Sequence, residues 1–410
     1  MSIYDKASLV QIPSGYKSGT LYSVVPNTAD GDFTVTGDPQ GEATRVNKDG
    51  LIEMVSADVP RLNYDPTNPQ DPHLLLEPTR TNFNTNSENF SSGYSTVGSP
   101  VSEENNLTSP NGGKNASRQT IATTGNGYYK LPTTVTSGTD YTVSAFFKYI
   151  SGSGEVVRFG AAGVNFGGDQ QNRINIKTGA VEFTNTGNTV IVEQYPNDWY
   201  RISCTKDAIS SGIGGFIMYT HQDDMVFGWW GVQFESGSYP SSYIPTTVAV
   251  TRTVDTCNIA NYANLPTDYP LTVYWKGQVK EFNGFNCAFS IYKDGASGEF
   301  LTVSFNTASQ ILVRRAIGGS EDVDFINYSY SLGDILKIGI KFTSATTFKL
   351  FINGSEIYEE TSGTSKTWDF NSVLIGQLRI AADTGNRNSC DVLMLFNEAL
   401  TDAELITLTS

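Results

Sequence analysis

A chain of 410 residues holds enough material for two or three domains, each able to bury its own core. Hydrophobic residues make up 39% and aromatics 12%, while charged residues are only 17% beside 39 Gly and 16 Pro, a profile of short strands and tight turns that excludes long amphipathic helices. The formal net charge of −15 speaks against nucleic acid and anionic lipid as partners, and the lack of any long apolar run speaks against membrane insertion.

Residues 1–80 differ from the rest. The opening "MSIYDKASLVQIPSG" lacks the apolar core of a secretory leader, so synthesis and folding in a reducing cytoplasm are expected. The four cysteines, Cys204, Cys257, Cys287 and Cys390, are scattered and form no C-x-x-C pair; they are expected to be buried free thiols. Asp49-Gly50 predicts a hairpin turn between Arg45-Val46 and Leu51-Ile52. Pro66, Pro69, Pro72 and Pro78 then favour an extended path. With so few core positions, the segment is expected to lie against a partner chain or a larger assembly rather than fold alone.

Residues 81–250 read as an antiparallel sandwich. In "TDYTVSAFFKYI" (139–150), Tyr141, Val143, Ala145 and Phe147 alternate as in a half-buried strand, and further strands follow at hairpin spacing. "WWGVQFESG" predicts the closing strand, and "SYPSSYIPTT" a proline-pinned exit towards the next domain. Residues 251–410 repeat the style without repeating the sequence. Asn353-Gly354 marks a type I′ hairpin, and Thr401 with Glu404 predicts a capped helix at the end. The fold class is therefore all-β: two antiparallel, jelly-roll-like β-sandwiches in tandem after an extended N-terminal anchoring segment.

Chemistry is sparse. His73 lies in the proline-rich segment, and His221 precedes Asp223 and Asp224 without further ligands in sequence. No nucleophile elbow, phosphate loop, dinucleotide fingerprint or zinc helix occurs, so no catalytic residue and no cofactor is assigned. A carboxylate pair of the glycosidase kind depends on a distance that sequence does not give. Asp383, Asn386, Asn388 and Asp391 could ligate calcium, but they lack dense alternation and read as a polar turn, so no metal site is assigned. Sugar sites in sandwiches use an exposed aromatic face. Trp229, Trp230 and Trp199 are the glycan-binding candidates, with Trp275 and Trp368 as further tryptophans. Strand alternation places Trp229 and Trp230 on opposite faces: one in a core, the other at a domain or subunit contact, at a glycan, or partly buried.

Several stretches together carry a resemblance. "YDKASLVQIPSGYKSGTLYSVVP", "ATRVNKDGLIE", "VPRLNY" and "LLLEPTRTN" resemble the opening of bacteriophage virion proteins. "WWGVQFESGSYPSSYIPTTVAVTRTVDT" is similar to the end of a phage carbohydrate-binding-module-like sandwich, with its W-G-x-Q-x-E-x-G-S run. The C-terminal part, closing on "FNEALTDAEL", resembles a concanavalin A/laminin-G-like lectin sandwich. The resemblance implies a structural protein of the virion, a head fibre or decoration protein anchored through residues 1–80 to capsid or other virion proteins. It also implies a homo-oligomer, commonly a trimer, with host-surface glycans as further partners. A tail-fibre adhesin is the alternative, and a polysaccharide-degrading enzyme the third reading.

Overall fold

The computed structural model describes residues 2–24, 32–38, 43–262, 265, 269–280, 286–295, 298–362, 368–377 and 388–410. The alternating run in the middle of the chain forms the strand Asp140–Gly152, and Tyr141, Val143, Ala145 and Phe147 all enter one core. Phe146, on the opposite face, is equally buried, because this sheet is covered on both sides. The sheet runs Val101–Leu107, Ala116–Ile121, Met225–Ser236, Asp140–Gly152, Trp199–Asp207, Asn188–Tyr195 in spatial order. Facing it is a second six-stranded sheet: Ser95–Val97, Gly127–Val135, Gly212–Thr220, Val156–Ala162, Asn172–Asn175, Val181–Phe183. Every described pairing is antiparallel, and the non-sequential strand order is that of a jelly-roll-like sandwich.

A second sandwich occupies the C-terminal half. One sheet contains Leu271–Gln278, Ile335–Ser344, Thr347–Ile352 and Ser355–Glu360; the other contains Ser372–Gln377, Asn286–Tyr292, Phe300–Thr307, Gln310–Ile317 and Ser320–Asn327. The Asn353-Gly354 turn has φ of 47° and 83°, the left-handed pair that a type I′ hairpin needs. The helix Asp402–Thr409 begins as its capping box predicts: the Glu404 N–H donates to Thr401 Oγ1 (3.3 Å), and the Thr401 N–H donates to Glu404 Oε2 (2.8 Å).

Residues 1–80 depart from the expected extended anchor. Strand Leu9–Gln11 pairs with Val392–Phe396 at the edge of one C-terminal sheet, with Leu9 opposite Leu395. Strand Asp32–Thr36 pairs with Thr256–Ile259 in the other, and Leu9, Leu21, Phe33 and Val35 enter that sandwich's core. The hairpin Thr44–Val46/Ile52–Met54 instead lies on the outer face of the middle sandwich, where Val46 and Ile52 pack with Trp230 and Trp199. Strand Arg80–Asn82 pairs with Val250–Arg252, across the expected boundary at 250/251. The physical reason is hydrogen-bond and apolar demand. Both sandwiches expose strand edges and apolar surface that this segment satisfies.

Candidate functional site

The three tryptophans put forward for glycan stacking offer no face to a ligand. Trp199, Trp229 and Trp230 are 1%, 0% and 0% exposed, and Trp275 and Trp368 are also buried. Trp229 lies in the sandwich core and stacks on Phe90 with ring centroids 3.9 Å apart. Trp230 points to the other side of its sheet and packs on Tyr243 of the exit segment, 4.6 Å between centroids. The opposite-face expectation thus holds for position, and the second tryptophan makes a contact between segments of one chain. Burial of such rings is a large apolar contribution, which is why the sequence keeps them here.

The W-G-x-Q-x-E-x-G-S run is a latch. Gly231 has φ of 63°, at a bulge where the register with Asp140–Gly152 shifts, so Val232 and Phe234 return to the core. Gln233 and Glu235 are fully buried on the other face. Gln233 Oε1 accepts from the Ile244 N–H (2.7 Å), and Glu235 accepts from the Ser241 N–H (2.9 Å) and hydroxyl (2.7 Å). These bonds fold the Pro240–Pro245 exit back onto its own strand. Beyond it lies a buried ionic knot. Arg61 Nη1 meets Glu77 Oε2 at 2.8 Å, Arg61 also pairs with Asp255, and Arg252 Nη1 reaches Glu77 at 3.3 Å. Ser242 donates through its N–H and hydroxyl to Glu77 at 2.7 and 2.6 Å. Burial opposes ionisation of Glu77, yet the Arg252 and Arg61 guanidiniums hold its pKa well below the usual carboxylate range. Arg61 and Arg252 balance Glu77 and Asp255, with the buried Lys280 ammonium a further cation beside them, so the knot acts as a structural joint.

Burial and then the nearby Lys280 ammonium push the His73 pKa down to about 3, so its imidazole is neutral. Asp383 and Asn386 lie outside the described residues. Asn388 bonds to Asn286 and to the Cys287 carbonyl, both at 2.9 Å, and Asp391 pairs with Lys276. Among the described residues no group of three or more His, Cys, Asp and Glu side chains could hold a metal ion.

The chemistry lies elsewhere, on the open face of the sheet opposite the tryptophans. Phe159, Ile174, Phe216 and Met218 point into the core, so Arg158, Arg173, Ile217 and Tyr219 point away from it. Register then sets a row across four strands: Tyr219 opposite Arg158, Arg158 opposite Arg173, and Arg173 opposite Phe183. Tyr129 stands opposite Ile217 in the adjoining row. Both tyrosines and both arginines are partly exposed, and Phe183 is 46% exposed. Arg158 is oriented: its Nε donates to His221 Nδ1 (3.0 Å) and its Nη1 to Gln171 Oε1 (3.1 Å). Arg173 lies over the Phe183 ring, 5.1 Å from the centroid. Among the described residues neither guanidinium forms an ion pair. Burial, then Arg173 and Arg158, lower the pKa of His221, so the imidazole is the neutral acceptor that Arg158 uses.

Two like charges directly opposite each other on a sheet destabilise it. In a protein of net charge −15, leaving both without an ion pair, with Glu182 the nearby carboxylate that acts on His221, is a cost that folding does not explain. The arrangement can hold an anionic group between two fork-shaped donors, with tyrosine rings beside it for a sugar ring. Sequence reasoning missed it because Arg158, Arg173 and Tyr219 are far apart in the chain. The legible signal was the outward phase of "VVRFGAA" and "NRINI", whose strands both place arginine at the polar positions.

No protein-family model and no curated protein matches the chain. Among solved structures it is similar to CBM40 of the Ruminococcus gnavus IT-sialidase bound to α2,3-sialyllactose, at 14% identity and a TM-score of 0.31 over 35% of this chain and 85% of that one. It is also similar to the NanB sialidase of Streptococcus pneumoniae, at 18% identity and 0.32, covering 37% of this chain and 26% of that one. A third is the binding domain of botulinum neurotoxin serotype D, at 12% and 0.31 over 38% and 40%. The chain thus spans about a quarter of the sialidase's length. These are partial likenesses among β-sandwiches.

Proposed function

We propose that this chain is a surface-displayed structural protein of a bacteriophage particle whose middle sandwich binds an acidic glycan. The virion part rests on the motifs that resemble phage head-fibre and decoration proteins along the whole chain. The binding part rests on one observation: Arg158 and Arg173 directly opposite each other, partly exposed and without an ion pair among the described residues. A carboxylate-bearing sugar supplies the missing charge, and Tyr219, Tyr129 and Phe183 supply ring faces and hydroxyls. This is binding, not turnover, and the same face serves a decoration protein or a tail-fibre adhesin. Self-association and attachment to other virion proteins then use the outer surface, because strands Leu9–Gln11, Asp32–Thr36 and Arg80–Asn82 are paired with the chain's own strands.

Titration of the full chain with sialic acid, glucuronic acid and their neutral counterparts tests the binding part. An acidic sugar is expected to bind, and Arg173→Ala to weaken it about 10- to 100-fold, the value of a charge-assisted hydrogen bond. Binding should also raise the pKa of His221, read by NMR, because the ligand offsets the arginine charge that depresses it. Equal affinity for acidic and neutral sugars would sink the reading. For the virion part, a reconstruction of the intact particle must contain this chain; its absence would overturn that assignment.

A further inference from the structure

A second cluster of polar side chains stands apart from the arginine row, where residues 1–80 cross the C-terminal sandwich. The Pro13–Gly15 turn delivers Tyr16, and the proline-rich stretch after Tyr64 delivers Gln70 and Asp71. Opposite them, Lys276 and Asp391 form a pair at 3.0 Å, with side chains still 30% and 20% exposed. Together these residues line a groove of about 580 Å³. Small-ligand sites fall roughly between 300 and 1,000 Å³, and a sugar of one or two rings fits within that range.

The groups in the groove are underused. The Tyr16 and Tyr64 hydroxyls, the Gln70 amide and the Asp71 carboxylate make no hydrogen bond among the described residues. The two tyrosine rings are half-buried, which fixes them while leaving part of each exposed. Asp71 and Asp391 both line the groove, and Asp71 adds to burial in raising the Asp391 pKa. A carboxylate accepts from vicinal hydroxyls, an ammonium donates to them, and an aromatic ring covers the apolar face of a pyranose.

We propose that this groove is a second binding site, for an uncharged sugar of one or two rings. Lys276 and Asp391 cancel, so Asp71 leaves the groove net negative. It therefore disfavours the acidic sugar that the arginine row attracts. Asp71 and Gln70 bind the ring hydroxyls, Lys276 donates to a ring or hydroxyl oxygen, and Tyr16 and Tyr64 bracket the ring. The site draws on residues 12–16 and 62–72 and on the C-terminal sandwich together, so it exists only in the assembled chain.

The test titrates the full chain with glucose, galactose, mannose, N-acetylglucosamine and their β-linked disaccharides, using saturation-transfer NMR. At least one is expected to bind saturably, and Asp71→Asn and Tyr64→Ala are each expected to weaken it about tenfold or more. Arg173→Ala should leave this binding unchanged, which separates the groove from the acidic-sugar face. Melting curves for each variant confirm that the fold survives. No saturable response to any of these sugars would overturn the proposal. So would a response that persists in the folded Asp71→Asn/Tyr64→Ala double variant.

Discussion

At the scale of the residue, burial and charge assign roles that residue type alone does not. Trp229 has the chemistry of a sugar-stacking platform but none of the exposure; its stack on Phe90 makes it a core residue. Trp229→Ala should therefore cost about 3–5 kcal/mol of stability, read by denaturant midpoint, and affect binding only through unfolding. His221 behaves differently. Its pKa is depressed from 6.5 by burial and the two arginines, so the folded state holds its proton less well than the unfolded chain. Stability is thus complete above the ordinary pKa and declines as pH falls through the depressed one. Comparing urea midpoints of wild type and His221→Gln between pH 7.5 and 5 should show a smaller acid-side loss in the variant. The opposite faces of Trp229 and Trp230 were legible in the sequence, since a strand alternates. Their common burial was not, because it needs a partner for each face of the sheet.

Local sequence rules hold well for single elements. The Thr401/Glu404 box and the Asn353-Gly354 turn form as their residues dictate, because both depend on neighbours within four positions. The Asp49-Gly50 turn forms too, but tertiary structure adds a constraint that the local rule omits. Gly50 has φ of 75°, and a Cβ there would lie 2.6 Å from Pro196 Cγ and 2.9 Å from the Pro66 carbonyl oxygen. Gly50→Ala therefore combines backbone strain with a clash against the middle sandwich. It should lower stability by about 1 kcal/mol or more and loosen the hairpin over Trp230. Hydrogen exchange at Val46 and Ile52 would register the change. The arginine row marks the other limit. Each strand was readable alone, whereas the register that sets Arg158 opposite Arg173 follows from closure of the whole sheet.

For the molecule as a whole, the all-β class and the two sandwiches were readable from strand spacing and turn residues. The use of residues 1–80 was not, since prolines indicate an extended path without saying what it crosses. Leu9, Leu21 and Phe33 complete the core of a sandwich whose other strands begin more than two hundred residues later. Removal of residues 1–36 should therefore abolish soluble, monodisperse protein by exposing that core, as size-exclusion chromatography would show. The proposed attachment to a particle is better probed by charge-reversing surface substitutions, which leave both sandwiches intact.

The pairing of Leu9–Gln11 with Val392–Phe396 also sets an order of events during synthesis. Leu9–Gln11 docks on a strand made about 380 residues later, so at translation rates of roughly 5–20 residues per second it waits about 20–80 s. The middle sandwich, whose strands are contiguous in sequence, can close during that interval. The C-terminal one cannot close until Val392–Phe396 has been made. Leu9 and Val10, fully buried in the finished fold, remain unpaired and exposed for that time.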